Sequence, residues 1–155
     1  MPSRLPLLAH APIAARVLAA MAGTLALIVP GTAQELSAVE HSIKLELNAL
    51  QKSEKGCRIA FVVKNATGKD IAKAAYEIAL FTKEGLVDRL LVLDFQDLPN
   101  EKTKVRRFDL VDASCDEIGR VLINDASACE GEGIEPEDCI ARLEATSRGA
   151  VTFGK

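Results

Sequence analysis

From residue 43 onward the chain alternates apolar and polar side chains in short runs. Ile43, Leu45 and Leu47 interleave with Lys44, Glu46 and Asn48, the period-2 pattern of a strand with one buried face. Cys57, Ile59, Phe61 and Val63 form the inward set of a second strand, with Arg58 and Lys64 outward. The polar stretch 65–70 then turns the chain. Residues 73–82 (KAAYEIALFT) are rich in alanine, which also suits a helix. Tyr76, Ile78 and Leu80 alternate, however, and Lys83-Glu84-Gly85 leads directly into another apolar run, so a hairpin is predicted with a second arm over 86–95. Residues 102–111 predict a fifth strand whose inward phase slips between Val105 and Phe108, which a β-bulge near Arg106 and Arg107 would repair. Val121 and Ile123 mark a sixth strand over about 117–124.

The pattern then changes. Glu135-Pro136-Glu137-Asp138 has the character of a helix start, with proline at the first helical position and acids at the positive end of the dipole. Cys139, Ile140 and Leu143 share one face, which predicts a helix over 136–145, and Ala150 to Phe153 suits a short closing strand. Seven short strands joined by polar turns predict a mainly β fold: a seven-stranded immunoglobulin-like β-sandwich with one short helix before the last strand.

The N-terminal part has a different character. Val17 to Val29 is an uncharged run of 13 residues, preceded by Arg4 and Arg16 and followed by Pro30-Gly31-Thr32-Ala33. A basic start, a short apolar core and small residues at Gly31 and Ala33 predict a secretory signal peptide over 1–33, cut after Ala33. An uncleaved anchor over 13–29 competes, but a spanning helix needs about 20 apolar residues. Residues 34–40 read as a flexible lead-in and 41–155 as the β-sandwich domain. No arginine pair marks twin-arginine export, so the general secretion route is expected, with a soluble periplasmic product and no stable membrane insertion after cleavage.

Removing 1–33 shifts the net charge from -3 to -5, which argues against nucleic acid as a partner. It also leaves His41 as the one histidine, so a Ser-His or Cys-His pair would have to use that single imidazole. The serines at 37, 42, 53, 114, 127 and 147 lack a glycine-flanked nucleophile elbow. No catalytic residue and no cofactor is assigned.

All four cysteines follow the apolar run. No C-x-x-C is present, and structural disulfides are expected in an oxidising compartment. If strands reverse at each turn, the second and sixth run the same way, so Cys57 opening one and Cys115 preceding the other share an end of the sandwich. Cys129, beyond the far end of the sixth strand, then pairs with Cys139.

The last third is acidic, with 4 basic and 11 acidic residues over 108–155. Asp125, Glu130, Glu132, Glu135, Glu137 and Asp138 crowd the region of the expected Cys129–Cys139 loop. Of these, Asp125, Glu130, Glu132, Glu135 and Asp138 form a candidate Ca²⁺ set, since Ca²⁺ takes six to eight oxygens. The EF-hand spacing is absent, and a solvated acidic loop is the simpler expectation. Lys102, Lys104, Arg106 and Arg107 read as the charged outer face of the fifth strand. Asn65-Ala66-Thr67 matches a glycosylation acceptor and implies an exposed turn.

The segments CRIAFVVKN (57–65), LFTKEGLVDRLLVLDFQDLP (80–99), RVLINDASAC (120–129) and CIARLEATSR (139–148) resemble an exported proteobacterial family labelled as Tat pathway signal sequence domain proteins. The middle stretch also resembles small immunoglobulin-like modules of envelope proteins. The resemblance implies a location and a fold, and it brings no catalytic residue. The expectation is therefore a non-enzymatic periplasmic module that binds another envelope protein or a peptide, through an open sheet edge or the acidic helix-bearing end. A cation-binding protein using the 125–138 loop is the alternative, and an enzyme built on Asp/Glu pairs ranks last.

Overall fold

The computed structural model describes residues 41–155. The expected signal peptide, its cleavage site and the lead-in lie outside the described residues. Alternation folds as expected into strands β1 (Ser42–Ser53), β2 (Gly56–Ala66), β3 (Ile71–Thr82), β4 (Val87–Leu98), β5 (Thr103–Val111) and β6 (Ile118–Glu130). A single helical turn, α1 (Asp138–Ala141), precedes β7 (Leu143–Ser147) and β8 (Thr152–Gly154). Two four-stranded sheets, ordered β5-β2-β1-β7 and β4-β3-β6-β8, face each other as a sandwich. The second strand pairs with the first and fifth, and the third with the sixth, which is the immunoglobulin-type order for the first six strands, whereas β7 and β8 add in parallel to β1 and β6.

The inward positions meet in one core. Phe61, Phe95, Phe108 and Phe153 cluster with Tyr76, with ring centroids 5.2–6.3 Å apart for the neighbouring pairs. Fully burying a ring such as Phe61 contributes about 2–3 kcal/mol, so this cluster is a large contribution to the packing between the sheets. Tyr76 keeps its hydroxyl satisfied by donating to the Cys139 carbonyl at 3.2 Å, and burial pushes its pKa up.

Both expected disulfides are present: Cys57–Cys115 with Cα atoms 5.0 Å apart and Cys129–Cys139 with Cα atoms 5.8 Å apart. Strand parity explains the first. The second differs in one detail, because β6 continues to Glu130 and carries Cys129 within its last turn of pairing, opposite Ala74 of β3.

Three further expectations are corrected. There are eight strands, because the helix is one turn long and Leu143–Ser147 is extended, pairing parallel with Ile43–Leu47. Leu143 and Ala145 alternate with Glu144 and Thr146, and pairing to β1 outweighs a helix whose N-cap Glu137 makes no side-chain bond. No bulge occurs at Arg106 and Arg107: the β2–β5 register runs unbroken from Gly56↔Val111 to Lys64↔Thr103. The inward phase simply continues through Leu110, Phe108, Arg106 and Lys104, and Val105 points outward, 61% exposed. Charged residues occupy inward positions there because β5 is an edge strand, so their heads reach the open side of the sandwich.

Candidate functional site

On that open side the edges β4 and β5 run close together. Arg106 donates from Nε to the Phe95 carbonyl at 2.7 Å and from its terminal nitrogen to Asp97, while Lys104 donates to the Asp97 carboxylate at 2.7 Å. Those two cations hold the Asp97 carboxyl below the usual range, with the Lys104 hydrogen bond the larger cause. Their side chains therefore cover the C-terminal half of the β4 edge. A positive φ at Gln96, with the register shift around it, bends the same half away.

In the other half Arg89 donates to the Val111 carbonyl of β5 at 2.9 Å, and from Leu90 onward the edge is open among the described residues. From Arg89 to Asp94 the pairing with β3 is regular, from Leu80↔Arg89 to Ala75↔Asp94, and β3 is the one strand paired with β4 among the described residues. Leu91 and Leu93 point toward the core. Leu90 and Val92 point outward and are 54% and 56% exposed, and Val87 and Leu86 extend the row. Across the sheet Leu90 aligns with Ala79 and Leu122, while Val92 aligns with Glu77 and Asp125. At one end of this face stands Asp94, whose carboxylate accepts the Gln96 N–H at 2.8 Å. At the other, the Arg120 guanidinium lies 5.3 Å from the Phe81 ring centre. A regular, uncovered edge with apolar outward side chains is a template for another strand.

The expected acidic site does not assemble. Asp138 accepts the Glu135 N–H at 3.0 Å and Arg142 Nε at 2.9 Å, and the backbone hydrogen bond is the larger cause of its lowered pKa. Glu130 pairs with Lys73 at 3.9 Å, and the Asp125 carboxylate accepts the Ala126 N–H. Glu132 and Glu135 lie in the connection between β6 and α1. Among the described residues no three His, Cys, Asp or Glu side chains gather so as to hold a metal ion.

The basic stretch divides: Lys104 and Arg106 face inward as above, and Lys102 and Arg107 are exposed. Asn65 departs further from expectation. It is fully buried, its amide donating to the Lys69 and Leu98 carbonyls at 2.8 and 2.7 Å and its oxygen accepting from Thr67. A side chain so enclosed holds the turn together and is no exposed acceptor for a glycan. His41 Nδ1 lies 3.1 Å from the Thr67 carbonyl. Asp88, Asp112 and Glu117 line a cleft of about 60 Å³, and a wider, more open depression of about 680 Å³ lies over Lys52, Lys55, Arg58 and Asp109.

Among the described residues, no helix is long and apolar enough to cross a membrane. The chain matches no family model, no curated protein and no solved structure.

Proposed function

We propose that the protein is an exported, periplasmic, non-enzymatic module that binds an extended segment of another envelope protein or a peptide along Arg89–Asp94 of β4. The observation that carries this reading is the half-open edge: Leu90 and Val92 stand exposed on a regular strand whose other half is covered by Arg106 and Lys104. Main-chain pairing would supply affinity there, and the outward row would supply selectivity. Two disulfides support an oxidising destination, and the resemblance to exported proteins agrees with it. The acidic end is the weaker docking choice, since Asp138 and Glu130 already have cationic partners.

Affinity capture from the envelope fraction tests this, run in parallel with the wild type and a Leu90→Lys, Val92→Lys variant. The reading requires a partner held by the first and lost by the second. A partner held equally by both would overturn β4 as the binding edge. The mass of the exported product, expected to begin at Gln34, tests the location.

A further inference from the structure

We infer that the segment received by β4 is basic at its leading end, a Lys or Arg followed at alternate positions by two apolar residues, and that it adds antiparallel to Arg89–Asp94. This rests on the β4 docking reading and deepens it.

Side chains directly opposite in an antiparallel pair lie on the same face of the sheet. A strand added to β4 therefore sets successive outward residues against Asp94, Val92 and Leu90, in that order along its own direction. Val92 and Leu90 call for apolar neighbours. Asp94 calls for a cation, and its surroundings reinforce the choice: Glu77 and Asp125 lie in line with Val92 on the two strands behind it. The hydrogen bond from Gln96 holds the Asp94 carboxylate in place before any partner arrives. At the opposite end of the row Asp88 already holds the Arg89 guanidinium, Nε donating at 2.7 Å, and Arg120 stacks on Phe81 behind it, so the carboxylate that calls for a cation is the one at Asp94. Antiparallel pairing is favoured over parallel because its ladder is slightly more stable per residue.

The same charges argue against a second copy of this chain as the occupant. Two β4 strands paired about a twofold axis at Leu91 would match Leu90 with Val92 but set Asp88 against Asp94 twice. Centring on Leu90 places Asp88 against Val92, and centring on Val92 places Asp94 against Leu90. Each register sets a carboxylate against another carboxylate or against an apolar side chain.

The test uses the exported protein with both disulfides formed and three end-capped peptides: Arg-Thr-Val-Thr-Ile-Thr, the same sequence led by Glu, and the reversed sequence Thr-Ile-Thr-Val-Thr-Arg. Titration is expected to show the Arg-led peptide binding about tenfold more tightly than the Glu-led one. Asp94→Lys should invert that preference, Leu90→Lys should remove binding of both, and the reversed peptide should bind more weakly. Equal affinity for the Arg- and Glu-led peptides, unaffected by Asp94→Lys yet lost with Leu90→Lys, would overturn the charge assignment and leave the docking edge standing. Tighter binding of the reversed peptide would overturn the antiparallel orientation. Binding that survives Leu90→Lys, or no binding by any peptide, would remove the inference together with the reading beneath it. A dimer seen by sedimentation and lost with Leu90→Lys would assign the edge to a second copy and contradict the proposal.

Discussion

Arg106 of β5 donates a 2.7 Å hydrogen bond to the backbone carbonyl of Phe95 on β4, joining the edge strand of one sheet to the edge strand of the other. The bond needs both neighbours of Arg106 in register: Phe61 beside it on β2, and Asp97 taking its terminal nitrogen. It caps one acceptor on an edge, while a second bridge, from Arg89 to the Val111 carbonyl at 2.9 Å, ties the start of β4 to β5 and leaves the run from Leu90 to Leu93 between them open. Arg106→Ala should therefore lengthen the open edge as well as weaken the sandwich. The expected loss is about 1–2 kcal/mol, below the usual figure for a buried charged hydrogen bond because the site is partly solvated. A lowered urea midpoint, together with increased light scattering at high concentration, checks both effects.

The two disulfides should differ in their contribution. Cys57–Cys115 closes a sequence separation of 58 and Cys129–Cys139 one of 10. In the chain-entropy view the first stabilises by up to about 4 kcal/mol and the second by up to about 3 kcal/mol. Replacing each pair by serine and comparing urea unfolding should show the larger loss for the Cys57–Cys115 pair. The second replacement should also loosen the connection that carries α1, since Tyr76 hydrogen-bonds the Cys139 carbonyl from the core.

Asn65 joins the β2–β3 turn to the end of β4 through four hydrogen bonds, two given and two accepted. Asn65→Ala would leave the Leu98 and Lys69 carbonyls without that donor in a buried site. A destabilisation of about 2–4 kcal/mol is expected, readable as a lowered melting temperature. Asn65→Asp should cost at least as much, because it would set carboxylate oxygens against two carbonyls.

Acid should destabilise the fold in a defined window. Asp97 beside Lys104, Asp109 beside Arg58 and Asp116 beside Lys52 are held below their ordinary value of 3.8, and Glu46 beside Arg148 below 4.5. The folded form thus binds protons less readily than the unfolded chain. Its stabilisation by these pairs is present above those ordinary values and is lost as pH falls through the lower folded ones. Melting temperature should change little between about pH 7 and 5 and fall below about pH 4, and Asp97→Asn should lessen the fall.

Much of this architecture was legible in the alternation of side chains. Leu91, Leu93 and Phe95 share the core side of β4 as their spacing implies, and the direction of the strands placed Cys57 beside Cys115. Residues 143–147 escaped because Cys139, Ile140 and Leu143 satisfy helical spacing, while the period-2 signal of Leu143 and Ala145 spans only one strand's length. Lys104 and Arg106 escaped for a different reason. A charged residue at an inward position reads as a slip in phase unless the strand is known to lie at a sheet edge. The docking row is the clearest case: Leu90 to Leu93 is apolar on both faces, and a central strand buried on both sides carries the same pattern. Only the sheet order distinguishes the two, and sheet order is set by contacts distant in sequence.

Hydrogen exchange on the protein, alone and with its captured partner, bears most directly on the central claim that β4 is the docking edge. The account predicts that amides within Arg89–Asp94 gain protection in the complex while those of the Gly131–Glu137 connection do not. Protection gained in that connection, with Arg89–Asp94 unchanged, would contradict it.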